Sequence, residues 1–318
     1  MQIIKYNKMR KIVLNVFLLF FIGSISAQTN ESSPLYETGT ETTLNGTWKF
    51  KYIKGFTAGS DSLFYLNDFD VSGWDNIKVP GHWGLQGFTE PTYGELPAGL
   101  GLYKRTFNVP SKYKGQQVFI RFEGVLFSYE VFVNGKKAGE WHSSYNGAGF
   151  NITKLIHFDK PNLLAVRVST RSKEYRFDLA DNWALTGIYR KVELFSTPNV
   201  YIDDYTVRTF VPGNRTGEIK MNVKMHPSTQ LLSGDKTLQV MLYSPEGKLL
   251  QKKQEKVVSE ENNFEFSVDN PALWTAETPD LYSMKLLLLE NGETKQEICQ
   301  KVGIREISID KNILKLLN

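Results

Sequence analysis

Residues Asp181-Asn182-Trp183-Ala184-Leu185-Thr186-Gly187-Ile188-Tyr189-Arg190 place an acid, an amide, a hydroxyl, two large aromatics and a glycine within ten positions. No helix or strand period fits them, so they read as a shaped loop that leads into a strand over residues 191–195. Polar and aromatic loops held by a β scaffold are where ligand contacts gather. The chemistry on offer is that of holding a polar ligand. Bond-breaking chemistry finds no support elsewhere. His82, His142, His157 and His226 are dispersed and lack metal-ligand spacing. There is no nucleophile elbow, no HExxH helix and no phosphate-binding glycine loop. No residue is assigned a catalytic role.

The elements that must position this loop are strands. Residues 47–52 alternate aromatic with polar, as in a half-buried strand. Val118, Ile120 and Phe122 alternate with Phe119 and Arg121. Residues 129–133 run into Asn134-Gly135, a strong hairpin signal because both residues tolerate positive φ in a type I′ turn. Residues 163–168 form a further strand. Beyond Ser196-Thr197-Pro198-Asn199 the alternation resumes over 219–223, 238–243, 264–268 and 282–288, with Ser244-Pro245-Glu246-Gly247 as a turn. Short strands punctuated by Gly, Pro and Asn predict an all-β chain: a jelly-roll sandwich, then an immunoglobulin-like sandwich.

Lys5, Lys8, Arg10 and Lys11 precede an apolar run over residues 12–22, and small residues follow to Ala27. This is the layout of a secretory signal peptide cut after Ala27, with Met9 as an alternative start. The run is well short of the ~20 residues a spanning helix needs. A secreted or periplasmic protein with no membrane association after cleavage is expected. The net charge of +4 is modest and scattered, which argues against a nucleic-acid partner. Lys252, Lys253 and Lys256 read as a solvated strand face. Cys299 is the only cysteine, so no internal disulfide forms; in a strand it is expected to be a small buried hydrophobe.

Several motifs also stand in an order that resembles glycoside hydrolase family 2, the β-galactosidase and β-glucuronidase group. They are Leu44-Asn45-Gly46-Thr47-Trp48, Val79-Pro80-Gly81-His82-Trp83, Gly101-Leu102-Tyr103-Lys104-Arg105, Phe122-Glu123-Gly124-Val125 and Val133-Asn134-Gly135. The loop 181–190 follows, then Asn270-Pro271-Ala272-Leu273-Trp274, Pro279-Asp280-Leu281-Tyr282 and Val302-Gly303-Ile304-Arg305. After the signal peptide (1–27) and a polar leader (28–40), the resemblance implies a jelly-roll sugar-binding domain (41–198) and an immunoglobulin-like sandwich (199–307). It implies that residues 308–318 are the stub of a (β/α)₈ barrel that carries the family's two catalytic glutamates. The resemblance places the family's acid/base in an Asn-Glu dipeptide; the only one here is Asn30-Glu31, in the leader, so neither catalytic glutamate carries over.

The chain alone is therefore expected to be inactive, as the amino-terminal part of an enzyme that hydrolyses terminal β-glycosides. The alternatives are a non-catalytic carbohydrate-binding or assembly module, which coplanar exposed aromatics would favour, and a truncated gene fragment. By resemblance, Asp181 contacts a sugar hydroxyl and ligates a sodium or magnesium ion at the shared pocket; a carboxylate oxygen suits both tasks. No other cofactor is implied, and the intact enzyme is expected to form homo-oligomers. Trp183 is a substrate-binding candidate, although it and Tyr189 are by type expected to be core anchors. Arg190 is expected to fix the loop through a carboxylate or carbonyl. Glu123 is expected to be a structural partner at a strand end. Glu90 and Tyr93, within residues 88–93, complete the substrate-binding candidates. Glu90 stands where the β-galactosidase pattern has asparagine, which replaces an amide with an anion and leaves room for a glycoside other than galactose.

Overall fold

In the computed structural model of the chain, residues 42–55, 62–94, 97–171, 178, 183, 185–212, 216–228, 231 and 233–317 are described. The expected signal peptide and leader lie outside them, as do Asp181, Asn182 and Ala184. The first sandwich is built from β1 (Thr42–Thr43), β2 (Gly46–Lys54), β3 (Asp75–Val79), β4 (Gly99–Phe107), β5 (Gln117–Phe122) and β6 (Val125–Leu126). It continues through β7 (Ser128–Val133), β8 (Lys136–Trp141), β9 (Ala148–Asn151), β10 (Asn162–Ser169), β11 (Gly187–Ile188) and β12 (Val192–Thr197). A six-stranded sheet of order β3-β2-β4-β10-β7-β8 packs on a four-stranded sheet of order β1-β12-β5-β9, and β6 pairs with β11 alone. All pairings are antiparallel.

The alternation in β2 does what its period requires. Trp48 and Phe50 are buried while Thr47 and Lys51 are exposed. They share one core with Val118, Ile120 and Phe122 of β5 and with Val192 and Leu194 of β12. The β7–β8 hairpin turns on Asn134 (φ 50°) and Gly135 (φ 79°), the left-handed pair expected of Asn-Gly. The outer face of the four-stranded sheet is also buried. Phe119 and Phe195 stack at 5.2 Å, and Tyr201 meets Phe119 edge-on at 5.9 Å.

The second sandwich comprises β13 (Ile202–Phe210), β14 (Thr216–Met225), β15 (Lys236–Tyr243), β16 (Leu249–Lys256), β17 (Glu261–Asp269), β18 (Tyr282–Glu290) and β19 (Glu293–Val302). Sheets β13-β14-β17 and β16-β15-β18-β19 enclose Ile219, Met221, Val223, Val240, Leu286 and Leu288. The architecture is a jelly roll followed by an immunoglobulin-like sandwich. Residues 244–247 close the β15–β16 turn through Gly247 N–H to the Ser244 carbonyl at 2.9 Å. Lys252, Lys253 and Lys256 on β16 are exposed, as their pattern suggests. Residues 306–317 form a hairpin, β20 (Glu306–Asp310) with β21 (Ile313–Leu317), through Lys311 and Asn312 at positive φ. Cys299 corrects the expectation of a buried thiol. Ile298 and Gln296 take the inward positions of β19, so Cys299 faces out and is exposed.

Candidate functional site

Two stretches distant in sequence zip together beside the sandwich. Gly81 N–H donates to the Ile188 carbonyl and Trp83 N–H to the Thr186 carbonyl, each at 2.8 Å. Gly187 has a φ of 137° and opposes Leu126 of β6. Trp83 is the anchor: its indole is buried and its Nε1–H donates to the Tyr103 hydroxyl. It fits because residue 101 is glycine; a Cβ there would sit 2.2 Å from the indole. The chain then turns through a short 3-10 segment, Gly84–Gln86. The Gln86 side chain accepts from Lys78 N–H at 2.8 Å and donates to the Lys78 carbonyl at 3.0 Å. This returns Phe88 onto Phe50, with ring centroids 4.7 Å apart.

The far ends of both stretches meet. Tyr93 and Trp183 form an antiparallel bridge, and their rings lie 6.0 Å apart at 80°. Tyr93 is 58% exposed and Trp183 57%. Trp183 is thus not a core anchor: the bridge holds its backbone at the surface. The perpendicular rings do not form a coplanar platform. Tyr189 is the anchor instead. It stacks on His82 (5.4 Å, 11°) and donates to the Ser144 carbonyl at 3.0 Å. Ser144 is fixed in turn by Asp178, whose Oδ2 accepts from its N–H at 2.9 Å and its hydroxyl at 2.7 Å. Arg190 lies over the Tyr189 ring, and its Nη1 reaches the Tyr145 carbonyl at 3.5 Å, in line with its expected bracing role. Glu123 pairs with Arg121 Nε at 2.6 Å, a structural contact as expected.

His82 places its Nδ1 3.0 Å from the Leu185 carbonyl, so that nitrogen carries the proton. Burial pushes the imidazole pKa below its ordinary value of 6.5, against the Leu185 hydrogen bond, which raises it. The unfolded chain therefore binds a proton at His82 before the folded chain does. Its contribution to stability is complete above about pH 6.5 and is lost as pH falls through the folded pKa. Thermal melts between about pH 7 and pH 5.5 are expected to show a smaller fall for His82→Gln than for the wild type. An equal fall in both would remove His82 from the linkage.

A cavity of about 280 Å³ is walled by Tyr52, Trp83 and Phe88 with Thr170 and Thr186, and has Lys54, Glu90 and Thr92 in its lining. Glu90 is exposed. Of the four substrate-binding candidates, the structure brings Tyr93 and Trp183 together, sets Glu90 on the neighbouring cavity, and leaves Asp181 outside the described residues. Sequence reasoning missed His82 and Tyr52 as parts of this region and named Thr186 only as the hydroxyl of the loop 181–190. For His82 a signal was present in Pro80-Gly81-His82-Trp83, whose glycine and aromatic announce close packing. Among the described residues no three His, Cys, Asp or Glu side chains gather as metal ligands.

The model of the glycosyl hydrolases family 2 sugar binding domain matches residues 42–198, and a second family 2 model matches residues 200–305. The chain belongs to glycosyl hydrolase family 2. It is 32% identical to a β-galactosidase of Halalkalibacterium halodurans and 33% identical to one of Priestia megaterium. Each match covers 86% of this chain but only 28% and 29% of those proteins. Among solved structures it is similar to Bacteroides uniformis β-glucuronidase 2 covalently bound to cyclophellitol-6-carboxylate aziridine. That match has a TM-score of 0.71 at 25% identity and covers 87% of this chain and 34% of that one. The chain thus spans about a third or less of the length of each of these three relatives. The Tyr93–Trp183 contact and the cavity both fall within the family 2 sugar binding domain.

Proposed function

We propose that this chain is the sugar-contacting, amino-terminal part of an exported family 2 β-glycosidase resembling β-galactosidase. In this role the Tyr93–Trp183 rim, with Asp181 and Glu90, borders a glycone pocket whose bond-breaking residues lie on another domain. The observation that carries the proposal is the meeting of the 88–93 and 183–190 loops, with two exposed aromatics joined at one point of a rigid sandwich. Aromatic faces suit the apolar face of a pyranose, and the Glu90 carboxylate in the cavity lining suits its hydroxyls. The rim cavity presents one carboxylate, Glu90. Retaining glycoside hydrolysis requires two, about 5 Å apart.

A sodium or magnesium ion at the pocket would be held by Asp181. The described residues add only scattered carboxylates and do not by themselves fit an ion, so no step runs through one. The perpendicular set of Tyr93 and Trp183 disfavours a free-standing binding module that would use a flat aromatic platform.

Pure chain incubated with a nitrophenyl β-galactoside is expected to show no turnover, and measurable turnover would overturn the proposal. Joined to the remaining segment of the Priestia megaterium β-galactosidase, the same chain is expected to support hydrolysis. In that fusion Trp183→Ala should raise KM by roughly tenfold, equivalent to about 1.4 kcal/mol, with kcat little changed. An unchanged KM would remove Trp183 from the glycone site.

A further inference from the structure

The two open sides of the second sandwich differ. On one side β16 reaches across to β17: Gln251 Nε2 donates to the Ser267 carbonyl, and Lys253 lies over the Phe266 ring at 5.4 Å. On the other side the sheets end in β13 and β19, the outer strands of their orders. A groove of about 470 Å³ runs between them, with Tyr205, Val207 and Thr209 on one wall and Lys301, Val302 and Arg305 on the other.

The β13 wall is a strand edge with its main chain turned outward. Tyr205 N–H donates to the Asp204 carboxylate at 2.8 Å and Val211 N–H to the Glu306 carboxylate at 3.0 Å, so both face away from β14. Peptide groups alternate in direction along a strand, so those of Val207 and Thr209 face the same open side. Such an edge is a template for another strand. The β19 wall carries positive charge. Lys301 Nζ donates to the Ser283 hydroxyl at 2.7 Å, and the Arg305 guanidinium lies over the Trp274 ring at 4.5 Å. Among the described residues no carboxylate pairs with either cation. An extended, acidic segment fits both walls.

The chain supplies one. Residues 28–41 contain Glu31, Glu37 and Glu41 and no Lys or Arg. All three glutamates are odd-numbered, so an extended segment presents them on one face. Thr42 and Thr43 pair antiparallel with Leu194 and Glu193, which aims the chain ahead of Thr42 along β12 toward Thr197 and the second sandwich. Residues 28–41 reach roughly 46 Å at about 3.3 Å each, and the path from Thr197 to Thr209 at the far end of the groove is about 40 Å at most. We propose that residues 28–41 dock in this groove as an added strand on β13, with their glutamates against Lys301 and Arg305.

The test compares the chain from Gln28, the form expected after cleavage, with a chain that starts at Glu41. Amide exchange at Val207 and Thr209 should be roughly tenfold slower in the longer chain. The difference should vanish in the double variant Lys301→Glu, Arg305→Glu and shrink at about 1 M salt. Equal exchange in the two chains, or a difference that survives both changes, would overturn the proposal. Proximity is read separately. Cys299 is exposed on β19 and is the only cysteine, so Thr38→Cys adds one partner for a short bismaleimide. Lys252 stands level with Cys299 on the opposite edge of the same sheet, through Met241 and Lys285. The control therefore carries Thr38→Cys with Cys299→Ser and Lys252→Cys. A loose tether would reach both edges, whereas docking should make the cross-link to Cys299 at least roughly tenfold faster. Equal rates would overturn the proposal, as would a cross-linked dimer, which would mark a second copy of the chain as the occupant. Neither readout involves a sugar or turnover, so failure of the rim proposal and failure of this one are told apart.

Discussion

Gly187→Ala is expected to lower the melting temperature of the chain by roughly 10 °C. Two costs combine at this residue. Its φ of 137° is a conformation that L side chains rarely adopt, and holding alanine there costs about 1–3 kcal/mol. The added Cβ would also stand 2.6 Å from the Gly81 carbonyl oxygen and 3.3 Å from the His82 Cα. Both are backbone atoms and cannot swing aside as a side-chain tip can. Overpacking of that kind costs a further ~1–3 kcal/mol. The sum is roughly 2–6 kcal/mol, and each kcal/mol shifts the midpoint by about 2–4 °C for a domain of this size.

The damage would fall on the site first. Relief of the clash means separating residues 81–83 from 186–188, the pairing that sets Trp83, His82 and Tyr189 in place. Gly73→Ala is the control. Residue 73 is exposed and an added Cβ would meet nothing within 4 Å, so its midpoint should stay within about 0.5 kcal/mol of the wild type. If Gly187→Ala melted with the wild type, the close approach of the two stretches would be wrong.

Local chemistry made part of this molecule readable in the sequence. Asn134-Gly135 announced its turn because the requirement is local: two consecutive residues at positive φ. Trp48 and Phe50 announced a buried face because side chains alternate across a strand. Cys299 was misplaced even though the same alternation, read from Ile298, would have turned it outward. The outer face of β5 was not legible, because what buries it is Tyr201, some eighty positions along the chain from Phe119. Trp183 misled by residue type, since its exposure follows from a bridge to Tyr93 across the fold. The cavity was the least legible feature. Tyr52, Phe88, Thr170 and Thr186 meet there only once β2, β10 and two loops are assembled, and no spacing records that meeting. The loop 181–190 was recognisable as a binding loop, whereas which of its side chains face a ligand depends on long-range pairing.

Arg121→Ala is expected to destabilise the chain by roughly 3 kcal/mol, measured as a lower urea midpoint. Arg121 and Glu193 are cross-strand partners on β5 and β12, with side chains 7% and 8% exposed. Arg121 Nη2 lies 3.1 Å from Glu193 Oε2, its Nε reaches Glu123, and its guanidinium lies over the Phe195 ring at 5.1 Å. Removing it leaves the Glu193 carboxylate buried with Lys191 as its remaining cation, at 2.8 Å and 43% exposed. Breaking a buried pair in this way costs about 3–5 kcal/mol, and Lys191 keeps the figure at the low end. Acid titration supplies an independent check. Burial raises the Glu193 pKa, but hydrogen bonds from Lys191 and Arg121, and then their charges, outweigh it and hold the group below its ordinary 4.5. A depressed carboxylate adds stability above the unfolded pKa and loses it as pH falls through the folded one. The wild type should therefore lose stability below about pH 4.5 more steeply than Glu193→Gln. The double variant Arg121→Met, Glu193→Leu should recover most of the loss, because two apolar side chains leave no charge stranded. A double variant as unstable as Arg121→Ala would show that the loss comes from packing on Phe195 rather than from the orphaned carboxylate.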